Sequence, residues 1–563
     1  MDRNPSGVDS PIRGRYLRSF RIAAILAILL YPFLYSGIFL GDAQIHLVYG
    51  SNAAEGRYFE FNPGEKSAGV TSPAYMILLA LPFKALPNAS LVPMVVKGMS
   101  ILSWYILALL VYHVAKALLQ DPAWTWLVTL TAGLLPGSAY NATTGMENGL
   151  FGVLVLLCTH LLIRWQCLAN VPLWTLPREI TLGMLLGMAC WIRPEGLIVS
   201  AIVVLYRAFL FRRSFADLGD AMRRSAPLVI VLMLFVASLA MFHFSQTGKW
   251  LPDSGVARMV ASWSRSFYLG PIMITPKVAI RFVYYFPLTA LWLVGNWLIL
   301  GRRVSASSSS MLTLMLVITW TFFALYSSIL GATHLARYMI FVMPFVVVVT
   351  GLGGMWLWRK WTVILPTRLR SVTFISIAII LAGVFVYESA LRRKMGQHTE
   401  LAELMRAVDS RKQHSDDLYR QMGEPSALPI SILCQEVQIR LWLDERFVVR
   451  STDGRVDAVL LRYYHDGNYD HIGYIKERGI TFVTEMPNYN RDGSLWSLAK
   501  LKHLKPGEQV CRENLVFTRM TQEDLVRVDH VKHGSSGQIT WDRPSSHAST
   551  PQGRATPSIR GTP

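Results

Sequence analysis

This sequence predicts an α-helical polytopic membrane protein of about eleven transmembrane helices, with a small α/β domain after the last of them. Three observations lead there. First, 52% of the 563 residues are hydrophobic and 16% are charged, giving a mean hydropathy of +0.34, too apolar for a soluble chain of this size. Second, the apolar runs are separated by short basic clusters. Third, from about residue 395 charges become frequent and the apolar runs shorten to strand length. The net charge of +19 invites a nucleic-acid reading. The Lys and Arg sit in short clusters between apolar runs, however, which is the pattern that fixes membrane topology, so the bilayer is the expected partner and nucleic acid is not.

A crossing needs about 20 apolar residues. Runs that meet this lie near 20–40, 92–116, 122–140, 148–166, 179–193, 196–211, 226–244, 279–300, 311–330, 336–357 and 371–389. The basic clusters check the count. Arg13, Arg15, Arg18 and Arg21 precede the first run, Arg212, Arg213, Arg223 and Arg224 follow the sixth, Arg302 and Arg303 follow the eighth, and Arg359, Lys360, Arg368 and Arg370 precede the last. Eleven crossings put all four clusters on one side, the cytoplasm. Asp42, the segment near 142, the segment 245–278 and everything after 390 then face outward. The run 74–87 is short and contains Pro82 and Lys84, so it reads as a helix lying in the outer interface. The first run has basic flanks and no small-residue cleavage site, and acts as a signal anchor in a bacterial cytoplasmic (inner) membrane.

The expected organisation is a cytoplasmic N-terminus over 1–19, a membrane module over 20–390, a periplasmic α/β domain over 391–532 and a disordered tail over 533–563 rich in Ser, Pro, Gly, His and Arg. Within the α/β domain, 428–434, 446–450, 456–461 and 480–484 read as strands. Cys434 and Cys511 either pair in an oxidising compartment or stay as buried thiols. Cys158, Cys167 and Cys190 lie in or beside spans without metal-ligand spacing.

An ionisable side chain where a span meets the interface costs free energy unless it faces a polar cavity, so each is a functional candidate. Asp42, in Gly41-Asp42-Ala43-Gln44-Ile45-His46, comes first; its bland alternative is a solvated carboxylate at a helix end. Glu147, in Thr144-Gly145-Met146-Glu147-Asn148, either orients a substrate hydroxyl, holds a divalent ion together with Asp42, or merely favours the start of the next helix. Arg193 and Glu195, in Arg193-Pro194-Glu195-Gly196, add charge at the same level, or form a self-contained ion pair at a helix junction. Lys249, Arg258, His334, Arg337 and Tyr338 supply cations and a phenol on later outward segments. A lipid phosphate would use them, Arg with its planar fork above all; snorkelling toward headgroups is the alternative.

Taken together, Gly41-Asp42-Ala43-Gln44-Ile45-His46, Asn52, Phe61-Asn62-Pro63-Gly64-Glu65, Thr71-Ser72-Pro73, Gly145-Met146-Glu147, Arg193-Pro194-Glu195-Gly196, Leu251-Pro252-Asp253 and His334-Leu335-Ala336-Arg337-Tyr338 resemble the type C fold of polyprenyl-phosphate-sugar glycosyltransferases. Within it they look closest to the branch containing the terminal arabinofuranosyltransferases. The likeness covers roughly residues 15–390. It implies inverting transfer of a sugar from a polyprenyl-phosphate donor to an envelope glycan, lipid or protein acceptor outside the membrane, with Asp42 as catalytic base and Glu147 beside it. It implies substrate contacts from His46, Asn62, Thr71, Ser72, Arg193, Glu195, Lys249, Arg258, His334, Arg337 and Tyr338. Relatives often carry two adjacent acids in the first motif, and Gly41 stands at the first of them. A magnesium or manganese ion would therefore lack one ligand, and metal use stays open. Arg258 keeps the charge where relatives often have Lys.

Two rivals belong to other classes. A lipid or sugar-lipid transporter usually shows matching repeats with broken helices, and no repeat is seen; a membrane scaffold needs no clustered acids. A ligase that moves a whole glycan from a lipid diphosphate is a rival within enzymes, and the acid at Asp42 fits it less well.

Overall fold

The computed structural model describes residues 11–167, 175–214, 218–250, 252, 288–301, 303–304, 306–328, 339–362, 367–395, 399–421, 429–434, 440–441, 443–451 and shorter stretches between 464 and 541. Among these, six helices are long and apolar enough to cross a membrane: Arg15–Tyr35, Ala89–Leu119, Asn148–Trp165, Met222–Thr247, Ser309–Tyr326 and Leu369–Leu391. The chain is a mostly helical multi-pass membrane protein. Helices also fill other apolar runs, including α8 (Leu176–Ile192), α9 (Glu195–Ser214) and Met343–Trp361.

Prolines move two expected boundaries. Helix α1 (Pro11–Leu30) gives way at Pro32 to a 3-10 turn over Tyr31–Tyr35, because proline has no N–H to continue the ladder. The expected first span, 20–40, is therefore displaced toward the N-terminus, and Ile38–Phe39 form a short strand, β1. The expected run 122–140 is interrupted as well. Leu135 is extended (φ −64°, ψ 111°) between α5 (Pro122–Leu134) and α6 (Pro136–Thr143), since a following proline disfavours helical backbone.

The segment after β1 is a helix. This is α2 (Gly41–Ala54), largely buried, which leads to the hairpin β2 (Glu60–Asn62) and β3 (Glu65–Lys66) and then to α3 (Pro73–Ala85). Helix α3 has 13 residues, too short for a perpendicular crossing, and lies against α2 where Gly50 meets Leu79. A Cβ at Gly50 would stand 2.7 Å from the Leu79 Cβ.

Beyond the last long helix (Thr367–Met395), β4 (Thr399–Glu400) returns to pair antiparallel with β1, Ile38 facing Glu400 and Phe39 facing Thr399. Helices Leu401–Asp409, Arg411–Gln421 and His471–Arg478 accompany a seven-stranded mixed sheet. Its strands are β5 (Ile430–Cys434), β6 (Phe447–Ser451), β9 (Phe482–Val483), β10 (Gln509–Arg512), β11 (Leu515–Arg519), β12 (Val526–His533) and β13 (Ile539–Trp541), while β7 (Tyr464–His465) and β8 (Asn468–Tyr469) form a separate hairpin. Strand β5 runs parallel to β6 and β9. The expected strand at 456–461 lies outside the described residues. Pairing of Cys434 with Cys511 does not occur: Cys434 is buried in β5, and its strand lies four ladder steps from that of Cys511 in the order β10-β11-β12-β9-β5. Four steps span about 19 Å, far beyond disulfide reach.

One apolar core joins this sheet to the membrane module, with Leu47, Phe61 and Met76 packed in the same cluster as Ile430, Ile432 and Val449. Polar contacts fix the register of that seam. Asn62 behaves like a strand neighbour of Val449, donating from Nδ2 to its carbonyl at 3.0 Å and accepting from its N–H at 2.9 Å. Glu65 takes both ends of the Arg450 guanidinium at 2.6 Å. Asn62→Leu keeps the volume and strands two buried backbone groups, so the protein should lose about 1–3 kcal/mol. A lower thermal midpoint in detergent, with earlier proteolytic release of the C-terminal region, is the expected observation; an unchanged midpoint would show that the seam does not depend on this amide.

Candidate functional site

The site forms where α2, the α6–α7 connection and the α8–α9 turn converge. Each piece is shaped by its own sequence. In Arg193-Pro194-Glu195-Gly196, Pro194 holds Arg193 extended (φ −152°, ψ 141°). Helix α8 closes with the Arg193 N–H on the Ala189 carbonyl at 2.9 Å, and α9 opens at once, with Gly196 and Leu197 donating back to the carbonyls of Arg193 and Pro194. Only glycine fits at 196, because a Cβ would stand 2.5 Å from the backbone of Ala189 and Cys190. Arg193 is thus aimed sideways off a tight corner.

The α6–α7 connection is Thr144 to Glu147. Gly145 takes positive φ (+87°) and lets the ring of Phe39 press so close that a Cβ would lie 2.2 Å from it. The Leu40 N–H donates to the Thr144 carbonyl at 3.2 Å, and the Tyr75 hydroxyl to the Gly145 carbonyl at 2.9 Å. Glu147 then stands at the start of α7 (Asn148–Cys167), its carbonyl accepting from the Phe151 N–H at 3.0 Å.

Glu147, 2% exposed, lies between the side chains of Arg193 and His46. Arg193 Nη1 is 2.6 Å from its Oε1, and His46 Nε2 is 3.1 Å from its Oε2. Arg193 also reaches Asn148 Oδ1 and holds Glu195 twice, Nη2 to Oε1 at 2.7 Å and Nε to Oε2 at 3.1 Å. Tyr326, at the end of the helix Ala306–Ser328, donates to Glu195 Oε1 at 2.9 Å. Tyr75 stands edge-on to the His46 ring at 5.4 Å between centroids. Arg193 and Glu195 form an ion pair at a helix junction, and that pair also reaches Glu147.

Asp42 occupies the first turn of α2, half-buried, where the helix dipole favours an acid. His46 lies four residues on, hence on the same face one turn away. The arrangement offers a partly accessible carboxylate beside an enclosed polar network. The two oxygens of Glu147 face Arg193 and His46, so a divalent cation at this carboxylate would have to displace one of them. Among the described residues no group of three His, Cys, Asp or Glu has metal-ligating geometry.

Other expected residues fall elsewhere. Asn62 is engaged by Val449, away from the network. Ser72 is buried at the start of α3, with half-buried Thr71 before it. Lys249 is exposed just past α10 (Leu218–Thr247), next to Trp250, whose ring stacks on Phe244 at 4.4 Å. Arg258, His334, Arg337 and Tyr338 lie outside the described residues. Sequence reasoning passed over Tyr326, Asn148 and Tyr75. A tyrosine near the end of an apolar run carried a weak signal for Tyr326, whereas Asn148 and Tyr75 reach their partners through contacts between distant segments that no pattern announces.

No family model matches the sequence, and no curated protein does. Solved structures do. The apo oligosaccharyltransferase of Archaeoglobus fulgidus matches with a TM-score of 0.50 at 10% identity over 85% of this chain and 70% of that one. ArnT from Cupriavidus metallidurans matches in the apo state with a TM-score of 0.48 at 13% identity, over 92% of this chain and 98% of that one. Its form bound to undecaprenyl phosphate gives 0.43 at 12% identity, over 91% and 98%. The likeness to the oligosaccharyltransferase gives the fold, the type C glycosyltransferase fold.

Removing Arg193 would leave two buried carboxylates facing each other. Arg193→Ala should cost about 3–5 kcal/mol, and Arg193→Lys should recover only part, because a compact ammonium with three donors lacks the planar fork that makes these four contacts. Tyr326→Phe should cost about 1.5–3 kcal/mol for one hydrogen bond to a charged group. Thermal unfolding of the purified proteins in detergent checks the order; an Arg193→Ala protein as stable as wild type would show that the network is not structural.

Proposed function

We propose that the protein is an inverting glycosyltransferase that moves a single sugar from a polyprenyl-phosphate donor to an envelope glycan, lipid or protein on the outer face of the cytoplasmic membrane. The observation that carries the reading is the half-buried Asp42 one helical turn from the His46–Glu147–Arg193–Glu195 network. A carboxylate in that position suits a general base, and a rigid polar wall beside it suits the orientation of a sugar.

In the proposed reaction an acceptor hydroxyl attacks the anomeric carbon while Asp42 takes its proton. The new glycosidic bond forms on the face opposite the breaking bond to the phosphate oxygen, which inverts the configuration and releases the lipid monophosphate. Negative charge grows on that phosphate. Lys249, Arg258, Arg337 and His334 are the candidates to stabilise it, and charge stabilisation of this kind acts most strongly in a site with little water. Glu147, locked by Arg193, orients substrate rather than moving protons. The sugar is left open between a pentose and a hexose donor, and the C-terminal region would shape the approach of the acceptor.

A second reading is transfer of a whole glycan from a lipid diphosphate, favoured by the fold shared with the archaeal oligosaccharyltransferase. The mass of the missing unit separates the two. In a strain lacking this protein, mass spectrometry of envelope glycans, glycolipids and glycoproteins should show loss of one monosaccharide, restored by wild type and not by Asp42→Asn. Removing the base should lower transfer by about a hundred- to ten-thousand-fold in a protein that still folds and inserts. Loss of a multi-sugar unit would favour the ligase reading, and full restoration by Asp42→Asn would remove Asp42 from the chemistry.

A further inference from the structure

Helix α4 (Val92–Leu119) belongs to one of the most apolar stretches of the chain, yet carries a lysine that is 3% exposed. A buried cation at such a place is expensive and calls for an explanation. Among the described residues Lys97 pairs with no carboxylate. Its ammonium donates instead to the Ile38 carbonyl at 2.8 Å and to the Tyr35 carbonyl. These oxygens belong to the break between the 3-10 turn and α2, where the chain leaves helical geometry and its carbonyls lose their intrahelical donors. In an apolar setting such carbonyls must find partners within the protein, and an ammonium with three donors can serve two at once.

The segment so held leads directly to Asp42. Ile38 and Phe39 are paired on their other side by Glu400 and Thr399, the Leu401 N–H donates to the Gly37 carbonyl at 2.6 Å, and the Leu40 N–H to the Thr144 carbonyl at 3.2 Å. Phe39 lies under the ammonium, 5.9 Å from ring centroid to Nζ, and presses on Gly145. Lys97 thus fixes the backbone before Asp42 and, through Phe39, the connection that carries Glu147.

We propose that Lys97 is a positioning residue, the cation that clamps residues 35–38 and thereby sets the place of the Asp42 carboxylate relative to the Glu147–Arg193 wall. This deepens the glycosyltransferase reading and rests on it. The test compares wild type, Lys97→Met, Lys97→Gln and Asp42→Asn in detergent. Hydrogen–deuterium exchange of peptides covering 36–46 is read without substrate, and transfer is read with a panel of synthetic prenyl-phosphate pentoses and hexoses. Lys97→Met should speed exchange in 36–42 and lower kcat by about tenfold or more, because misplacement of a base by about 1 Å costs that much. Donor KM should stay within about twofold, and Lys97→Gln, which keeps two donors on a shorter, neutral side chain, should fall between. A raised donor KM with kcat intact would make Lys97 a phosphate contact, and unchanged exchange with unchanged kcat would make it a mere cap; either overturns the proposal. If Lys97→Met fails to fold, Lys97→Gln carries the same comparison. Wild-type rates from Asp42→Asn would sink the assignment of the base while leaving the exchange result readable.

Discussion

Arg193 is the charge on which the site depends. A guanidinium taken out of water is tolerated only when its donors are met, and here it meets Glu147, Glu195 and the Asn148 amide, while Tyr326 and His46 serve the two carboxylates from behind. Five elements therefore meet at one planar fork: α2, the start of α7, the α8–α9 corner, the start of α9 and the end of Ala306–Ser328. The planarity and reach of arginine allow this, whereas an ammonium, with three donors on one compact head, cannot span all of these partners. A similar solution recurs between α8 and α9, where Arg207 and Glu179, both essentially unexposed, pair at 2.6 Å. That second pair ties the two helices together far along α9 from the first.

The same rule, that buried polar groups must find partners inside the protein, governs the approach to Asp42. Pro32 breaks the helix, carbonyls are freed, and the chain recovers them through Lys97, β4 and the Thr144 carbonyl. The C-terminal region takes part in this directly, since β4 and Leu401 belong to the segment that leaves the last long helix. With Asn62 on Val449 and Glu65 on Arg450, it is fastened to both sides of α2. A domain joined in this way is part of the frame of the site.

Type C folds host transfers of single sugars and of larger glycans alike, so the fold does not select the reaction. Asp42 keeps partial exposure while Glu147 is enclosed and engaged by Arg193 and His46. Two carboxylates of one type are thereby given different environments, the usual way a site assigns them different roles.

The apolar runs by themselves determined that this is a multi-pass helical membrane protein, because burying a backbone in lipid leaves helices as the economical way to satisfy it. The acids and the arginine at the ends of those runs were legible for the same reason: charge is rare there, so Asp42, Glu147, Arg193 and Glu195 stood out. Other features came only from the tertiary structure. That α2 is a helix was hidden, because its residues are buried on nearly all sides by α3 and the C-terminal sheet and show no amphipathic period. Asn62 looked like a substrate contact, yet its partner Val449 lies 387 residues away. Tyr326 lies 131 residues beyond Glu195, and Lys97 makes its bonds about 60 residues back along the chain. Sequence records which side chains are costly to bury; only the packed structure decides which partner meets each cost.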